Sequence, residues 1–580
     1  MACLLADDPN PDARAEGLAE ARDQYRWDHV YLDPLPMLKI DHTGKHPGIL
    51  EFLAASVEGD LPPAERPDDD MPEERLAATA PGVAVIEGDD LLERFGRGFL
   101  ALFGRDTFDD PSDYLELLKG LPKPPNLEGA ASYEADWDSD RAFAWQRLAG
   151  PNPVVIERPT AQRWEAVNAK LALRDAHLAQ ALGEAAPTIA EALAAGTLFV
   201  CDYAALVEPT PIPCGSDKGR DKFLPAPIGA FVYDDDLGEL RPVAIRLGQS
   251  HEAHLVIADG SERWQAAKAQ LAAADFNYHE MGTHLSLVHF VQEGLAVATF
   301  RSLPAAHPVT TLLRPHYKYL LYNNFAGREL LVNPGGFVDK ILAGDLENGS
   351  LALVRRFYTA FHFDDLDLPA ALAKRNMTSP EGLPVYPYRD DGLQVWEALS
   401  TWARAYVDAY YDDDRAVATD VELDRWCREM THEDAAHVAG FPTSIDDRAT
   451  LADVLTRLMF LAGPQHAAVN YPQARSMLVV PNMPGAAWAK EPQTLMDMLP
   501  GDAPAHSQVE AIWLLTCYQY GRLGDYGDAL SDAVVQQPLR ALQKELDAIE
   551  RAVDQRNATV RSTYPYTYLK PSRIPNSTNI

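Results

Sequence analysis

Positive charge, cysteine and nucleotide-binding glycine motifs are what this 580-residue chain has little of. Lys and Arg number 51 against 86 Asp and Glu, a formal net charge of −35. Such an acidic chain argues against nucleic acid and against firm adhesion to anionic membranes, since both repel it. The five cysteines, Cys3, Cys201, Cys214, Cys427 and Cys517, are scattered and odd in number, so no disulfide or zinc framework follows. No G-x-G-x-x-G follows a strand-like run, which leaves no dinucleotide or flavin fingerprint. Met1 to Asp8 has no basic stretch and only a trace of an apolar run, so no signal peptide is expected. No stretch reads as long and apolar enough to span a bilayer.

What is present is a ladder of three histidines at intervals of five: His279, His284 and His289. It lies in a segment, Ser261 to Ser302, that reads as one long helix without proline. Its glycines, Gly282 and Gly294, are tolerable at about 1 kcal/mol each. Residues five apart diverge by roughly 140° on a regular α-helix and do not share a face. A π-bulge with i→i+5 hydrogen bonds would bring them together, so the ladder predicts a distorted helix. Spacing alone leaves open which two of the three histidines hold a metal. His279-Glu280 also suggests the zinc-protease pattern H-E-x-x-H, but the second histidine arrives one residue late for that helical face.

His466 and Asn470 stand at i,i+4 and face one side of a helix, with an apolar lead-in from Thr450 to Leu461. The sequence closes on Ser577-Thr578-Asn579-Ile580, whose last residue offers a main-chain carboxylate. Imidazoles, one amide oxygen and one carboxylate make a ligand set of low charge. It suits a redox-active mononuclear non-haem iron better than Ca or Mg. For any single histidine, a hydrogen-bonded place in the core is the ordinary explanation; three in register, followed by His466 and Asn470, make that explanation poor.

The block from Phe276 to His289, reading Phe-Asn-Tyr-His-Glu-Met-Gly-Thr-His-Leu-Ser-Leu-Val-His, resembles the iron helix of the lipoxygenase family. Further family-like runs follow in the same order. They are Arg301-Ser302-Leu303 to His307-Pro308, Leu312-Leu313-Arg314-Pro315-His316, Tyr386 to Gly392 with Trp396 and Tyr410-Tyr411, and Arg573 to Ser577. The resemblance covers about residues 140 to 580. It implies that His284, His289, His466, Asn470 and the Ile580 carboxylate hold one non-haem iron, with water or hydroxide in the remaining position. It implies that His279 is a neighbouring non-ligand, that Glu280 supports the site, and that Gln473 orients Asn470. Leu331 and Val338 match residues that clamp a pentadiene near the metal. Phe276, Ile341 and Leu342 match bulky residues at the pocket floor. Gly327 occupies a site where Ala accompanies S products and Gly accompanies R products; ordinary helix packing is the plain alternative for this glycine.

The implied fold is mainly α. It is one large helical catalytic domain, residues 141–580, with a small β subregion and a helical N-terminal extension, residues 1–140. That extension does not read as the β-barrel that plant and animal members carry. Leu91 to Phe103 and Pro111 to Leu121 read as helical, and Leu61 to Glu74 as an acidic, proline-rich linker. Ala161 to Leu182 and Pro187 to Ala195 read as helices, Leu198 to Leu206 as a strand. Pro227 to Tyr233 and Leu240 to Leu247 read as a hairpin around Asp234 to Glu239. Gln537 to Asn557 reads as an amphipathic helix that packs and delivers the C-terminal segment. No internal repeat is evident.

The implied function is a non-haem iron dioxygenase that abstracts hydrogen from the pentadiene of polyunsaturated fatty acids and inserts O2, giving R hydroperoxides. Two alternatives are a hydroperoxide isomerase on the same fold and a non-catalytic lipid-binding protein. Manganese is the alternative metal. The expected partners are a polyunsaturated fatty acid and O2, with no nucleic acid and at most transient membrane contact. A cytoplasmic monomer is the simplest expectation.

Overall fold

The structure is a computed structural model that describes residues 2–41, 59–68, 71, 73–75, 77–79, 108–127, 136–217 and 219–580. Helices dominate it. At its centre one continuous helical rod runs from Glu262 to Ser302, capped at its start by the Ser261 side chain, which accepts from Trp264 N. The rod is α-helical over Glu262–Tyr278, π-helical over His279–Val291 and α-helical again over Gln292–Ser302. It is buried on nearly all sides, so its sequence carries little amphipathic signal. Leu351–Ala360 packs on the π-helical part of the rod, Pro387–Tyr410 packs against both Arg448–Phe460 and Gln536–Ala558, and Asp502–Thr516 packs on Gln473–Met477.

The β subregion is a four-stranded antiparallel sheet in the order Leu198–Asp202, Ile228–Asp234, Glu239–Arg246, Leu255–Ile257. Its two faces serve different cores, as the period-2 alternation of a strand requires. Leu198 and Val200 join a satellite core with Trp164, Val167, Leu171 and Leu178, while Phe199 and Cys201 face the main body. The expected hairpin is present, with Asp234 paired to Glu239 and Gly238 at φ +67° in the turn. The first expected strand stops at Asp202 and becomes a 3-10 turn over Ala204–Leu206. The last strand, Leu255–Ile257, and the short ribbons Trp27–Asp28 with Met37–Leu38 and Ser216–Asp217 with Arg220–Asp221 carry no alternation long enough to read from sequence.

Other expectations need correction. Ala161 to Leu182 is two helices, Ala161–Leu171 and Asp175–Leu182. The break is at Ala172, which takes φ +54°, and the Asn168 side chain grips Leu173 N and O across it. Pro111 to Leu121 is a 3-10 helix, Pro111–Leu118, started by an Asp110 capping box. Leu61 to Glu74 is no free linker: Glu65 is buried, bonded to the Tyr25 hydroxyl and paired with Arg314, and the described residues between 71 and 79 are helical. The expected helix Leu91 to Phe103 lies outside the described residues. Residues 2–41 dock firmly on the body: Cys3 N donates to Ala306 O, Arg14 pairs with Glu422 at 2.6 Å, and Leu38 N donates to Glu293. Among the described residues no helix is long and apolar enough to cross a membrane.

Candidate metal centre

The π-helix gathers the ladder. His279 and His284 stack at 5.1 Å between ring centroids and 14° between planes, while His284 and His289 meet edge to face at 4.8 Å. The i→i+5 hydrogen bonding widens the coil, and that turns residues five apart toward one face. A second π-turn, Leu461–Gln465, contains Pro464 and feeds directly into the short helix His466–Asn470. This presents the His466 ring to both others, 5.9 Å from His284 and 5.3 Å from His289. One nitrogen from each of His284, His289 and His466 lies within 4.8 Å of the others, and all three side chains are buried.

Their outer nitrogens are committed. His289 Nδ1 lies 2.9 Å from Asn324 Oδ1, and that amide is in turn fixed by donating to His289 O and to Glu293 Oε2. His284 Nδ1 lies 3.2 Å from Glu280 Oε2. Since a carbonyl and a carboxylate can only accept, both Nδ1 atoms carry the proton and both Nε2 atoms carry a lone pair. Those two Nε2 atoms face one another at 3.3 Å. Two lone pairs so opposed repel unless a cation lies between them. His466 is fully buried, and neither of its ring nitrogens has a hydrogen-bond partner among the described residues. A buried, unpaired imidazole is costly, and a metal ion removes the cost. The residues present therefore fit a metal.

Electrostatics agree. Burial pushes His289 down to about 3, helped by His284, and burial likewise lowers His284 and His466. All three stay neutral near pH 7, the form that binds metal. Burial raises the Glu280 carboxyl, but His279 and His284 outweigh it and hold it below the usual carboxylate range.

Asn470 is held at both ends: its Nδ2 donates to Leu515 O at 2.8 Å and its Oδ1 accepts from Gln473 Nε2 at 2.8 Å. One Oδ1 lone pair remains. His279 Nε2 lies 3.0 Å from Val469 O, which ties the π-helix to the helix of His466. Ile580 is buried, and Thr578 Oγ1 bridges the central rod and the second π-turn, 2.8 Å from Gln292 Oε1 and 3.0 Å from Ala462 O.

Gly327 lies on the helix Leu320–Leu330, three residues after Asn324 and so on the same face, the one docked on His289. A Cβ built on Gly327 would meet only Leu331 Cδ1, at 3.8 Å. Leu331 N bonds Gly327 O, and Val338 N bonds Leu331 O, so the three form one bend. Ile341 and Leu342 follow on the next turn, and Ala343 N is tied to Asn277 beside Phe276. Two residues with a hold on the cluster escaped the sequence reading. Glu293 carried a readable signal, the i,i+4 spacing from His289; Asn324 is far along the chain and carried none.

A family model described as Lipoxygenase matches residues 118–499. A "Linoleate 9/13-lipoxygenase" of Pseudomonas aeruginosa is 36% identical over 76% of this chain; the match spans 66% of that protein's length. Among solved structures, the coral 8R-lipoxygenase is 28% identical with a TM-score of 0.84, covering 100% of this chain and 83% of that one. A lipoxygenase crystallised anaerobically in complex with arachidonate is 26% identical with a TM-score of 0.85 and the same coverage. With the family model covering well over half of it, the chain belongs to the lipoxygenase family.

Proposed function

We propose that this chain is a non-haem iron dioxygenase of polyunsaturated fatty acids, and that His284 Nε2, His289 Nε2, His466, Asn470 Oδ1 and the Ile580 carboxylate hold one iron. The observation that carries the reading is the fully buried His466, unpaired at both nitrogens and aimed at two imidazoles whose Nε2 lone pairs converge. Neutral nitrogen and amide donors with one carboxylate fit iron, with manganese as the alternative. Bound there, iron would supply the one-electron chemistry needed to take hydrogen from a carbon between two double bonds.

The chain's own residues do the rest. Asn324 and Glu280 hold the ring orientation and tautomer of His289 and His284. Gln473 fixes the amide of Asn470 so that oxygen, not nitrogen, faces the site. His279 and Glu280 support the cluster from behind. Leu331 and Val338 clamp the pentadiene, with Phe276, Ile341 and Leu342 limiting how deep the chain inserts. The open space at Gly327 admits oxygen beside one end of the pentadiene, which favours the R hydroperoxide. A linoleate enzyme and a coral 8R enzyme among the similar proteins support substrate class and chirality alike. Residues 141–580 form the catalytic body in this reading, and 1–140 an extension packed on it. The substrate is a free fatty acid with O2, and the unit is a cytoplasmic monomer.

Metal analysis of the purified protein with an oxygen-electrode trace on linoleate tests this. One iron per chain and oxygen uptake are expected. Hydroperoxide consumed without oxygen uptake by metal-loaded protein would make it an isomerase instead.

A further inference from the structure

A cavity of about 530 Å³ lies against the π-helix, lined by its residues Gly282, Thr283, Ser286, Leu287 and Val291. None of the residues assigned to the pentadiene lines it. Its walls are apolar, with Leu287 and Val291 of the π-helix, Phe357 and Phe361 opposite, and Leu461 at the turn before His466. The volume falls in the range of sites that bury a small ligand, about 300–1,000 Å³.

Its polar wall residues are mostly spent. Thr283 donates to Asn152, Ser286 to Val354 O, and the Tyr388 hydroxyl to Gln465. Glu157 is paired with Arg163 at 2.8 Å and Asp365 with Lys374 at 3.3 Å. Arg375 is different. Its Nη1 is anchored on Ile156 O at 2.9 Å and on the Tyr386 hydroxyl at 3.2 Å, which fixes the guanidinium at the cavity wall. No carboxylate among the described residues comes within ion-pair distance of it, in a chain with a large surplus of acids. Glu157, committed to Arg163, acts on it only through space, and a fixed, largely covered cation held by neutral acceptors beside an apolar cavity matches an anionic head on an apolar tail.

We propose that this cavity is a second lipid site, taking a long-chain fatty carboxylate with its head on Arg375 and its tail along Leu287, Val291, Phe357 and Leu461. It is not the site of chemistry. Leu287 lies one turn beyond His284 and Gln465 precedes His466, so the cavity borders the two elements that carry the histidine cluster.

Laurate tests this, since it has no double bonds and cannot be oxygenated. Titration calorimetry of the full chain should give a laurate site, and 1-dodecanol, which lacks the charge, should bind it about tenfold more weakly. Arg375→Met should weaken laurate by a similar factor and leave dodecanol unchanged. Ala371→Trp fills the cavity from the helix Leu368–Lys374, which carries none of the proposed metal ligands; it should abolish laurate binding while linoleate turnover stays within about twofold. Laurate binding that ignores both substitutions and does not discriminate against dodecanol would overturn the proposal. So would loss of linoleate turnover in Ala371→Trp, which would make the cavity the substrate channel. The calorimetric arms read out even in a protein without oxygenase activity, so a failure here and a failure of the dioxygenase reading are told apart.

Discussion

Asn324 fixes the ring of His289. Its carbonyl takes the Nδ1 proton and its amide group is locked by His289 O and Glu293, so the amide cannot flip. Glu293 is itself fully buried and receives Leu38 N from the N-terminal ribbon. Asn324→Leu keeps the volume and removes the acceptor. His289 would then be free to rotate or change tautomer, and metal affinity should fall by about 10–100-fold. Competition with a chelator measures this, with a thermal melt of the metal-free protein as control; unchanged affinity would reduce Asn324 to a packing residue. Gly327 invites the converse experiment, adding an atom. The only neighbour of the new Cβ is Leu331 Cδ1 at 3.8 Å, ordinary contact, and Ala is the better helix former. Gly327→Ala should therefore fold normally and move oxygenation toward the other end of the pentadiene, raising the S fraction of the product. Chiral chromatography decides it; a variant that is active but unchanged in chirality sinks the steric argument.

At the scale of elements, the two π-segments perform one task, presenting imidazoles from separate helices to a common point. The second of them runs against the chain's end: a Cβ on Gly463 would meet Pro575 O at 2.6 Å. Gly463→Ala must displace that backbone, since a carbonyl in an ordered segment cannot swing aside as a side chain can. Overpacking of this kind costs about 1–3 kcal/mol. The variant should melt lower and lose metal, because the shift propagates along residues 575–580; a normal metal content would detach Ile580 from the site. Much of this arrangement was legible in advance. Spacing of five is incompatible with an α-helix, so the ladder announced a distortion, and the hairpin announced itself through alternation and a polar turn. The break at Ala172 was not legible, because an alanine with φ +54° violates its own preference and is held by the Asn168 side chain. Nor was the packing of residues 61–79, whose acidic, proline-rich composition suggests a linker while Glu65 is buried against Tyr25 and Arg314. Asn324 stayed hidden because tertiary contact, not local spacing, gives it a role.

For the whole molecule, the decisive feature is how the last residues are threaded through the body to the centre. His316 is one of the locks on that path. It is buried, with Nδ1 2.8 Å from Asn576 O and Nε2 3.1 Å from the Tyr526 hydroxyl. The carbonyl accepts from Nδ1, so in the neutral ring Nε2 bears the lone pair and accepts from the tyrosine. Burial pushes the group down to about 4, partly offset by the bond to Asn576. The folded value thus lies below the ordinary value of about 6.5, and the unfolded chain binds the proton first. The stability this neutral histidine confers is complete above about pH 6.5 and is lost as pH falls toward 4, at up to about 1.4 kcal/mol per pH unit for one proton. His316→Gln can keep a donor for Asn576 O and an acceptor for Tyr526 without titrating. Metal-free wild type should lose melting temperature faster than His316→Gln between pH 6.5 and 4, while above pH 7 the two should differ by a constant offset. Other buried histidines contribute slope to both proteins alike, so the difference isolates this one. Parallel curves across the acid range would show that His316 does not titrate there and that acid opens the C-terminal segment by another route.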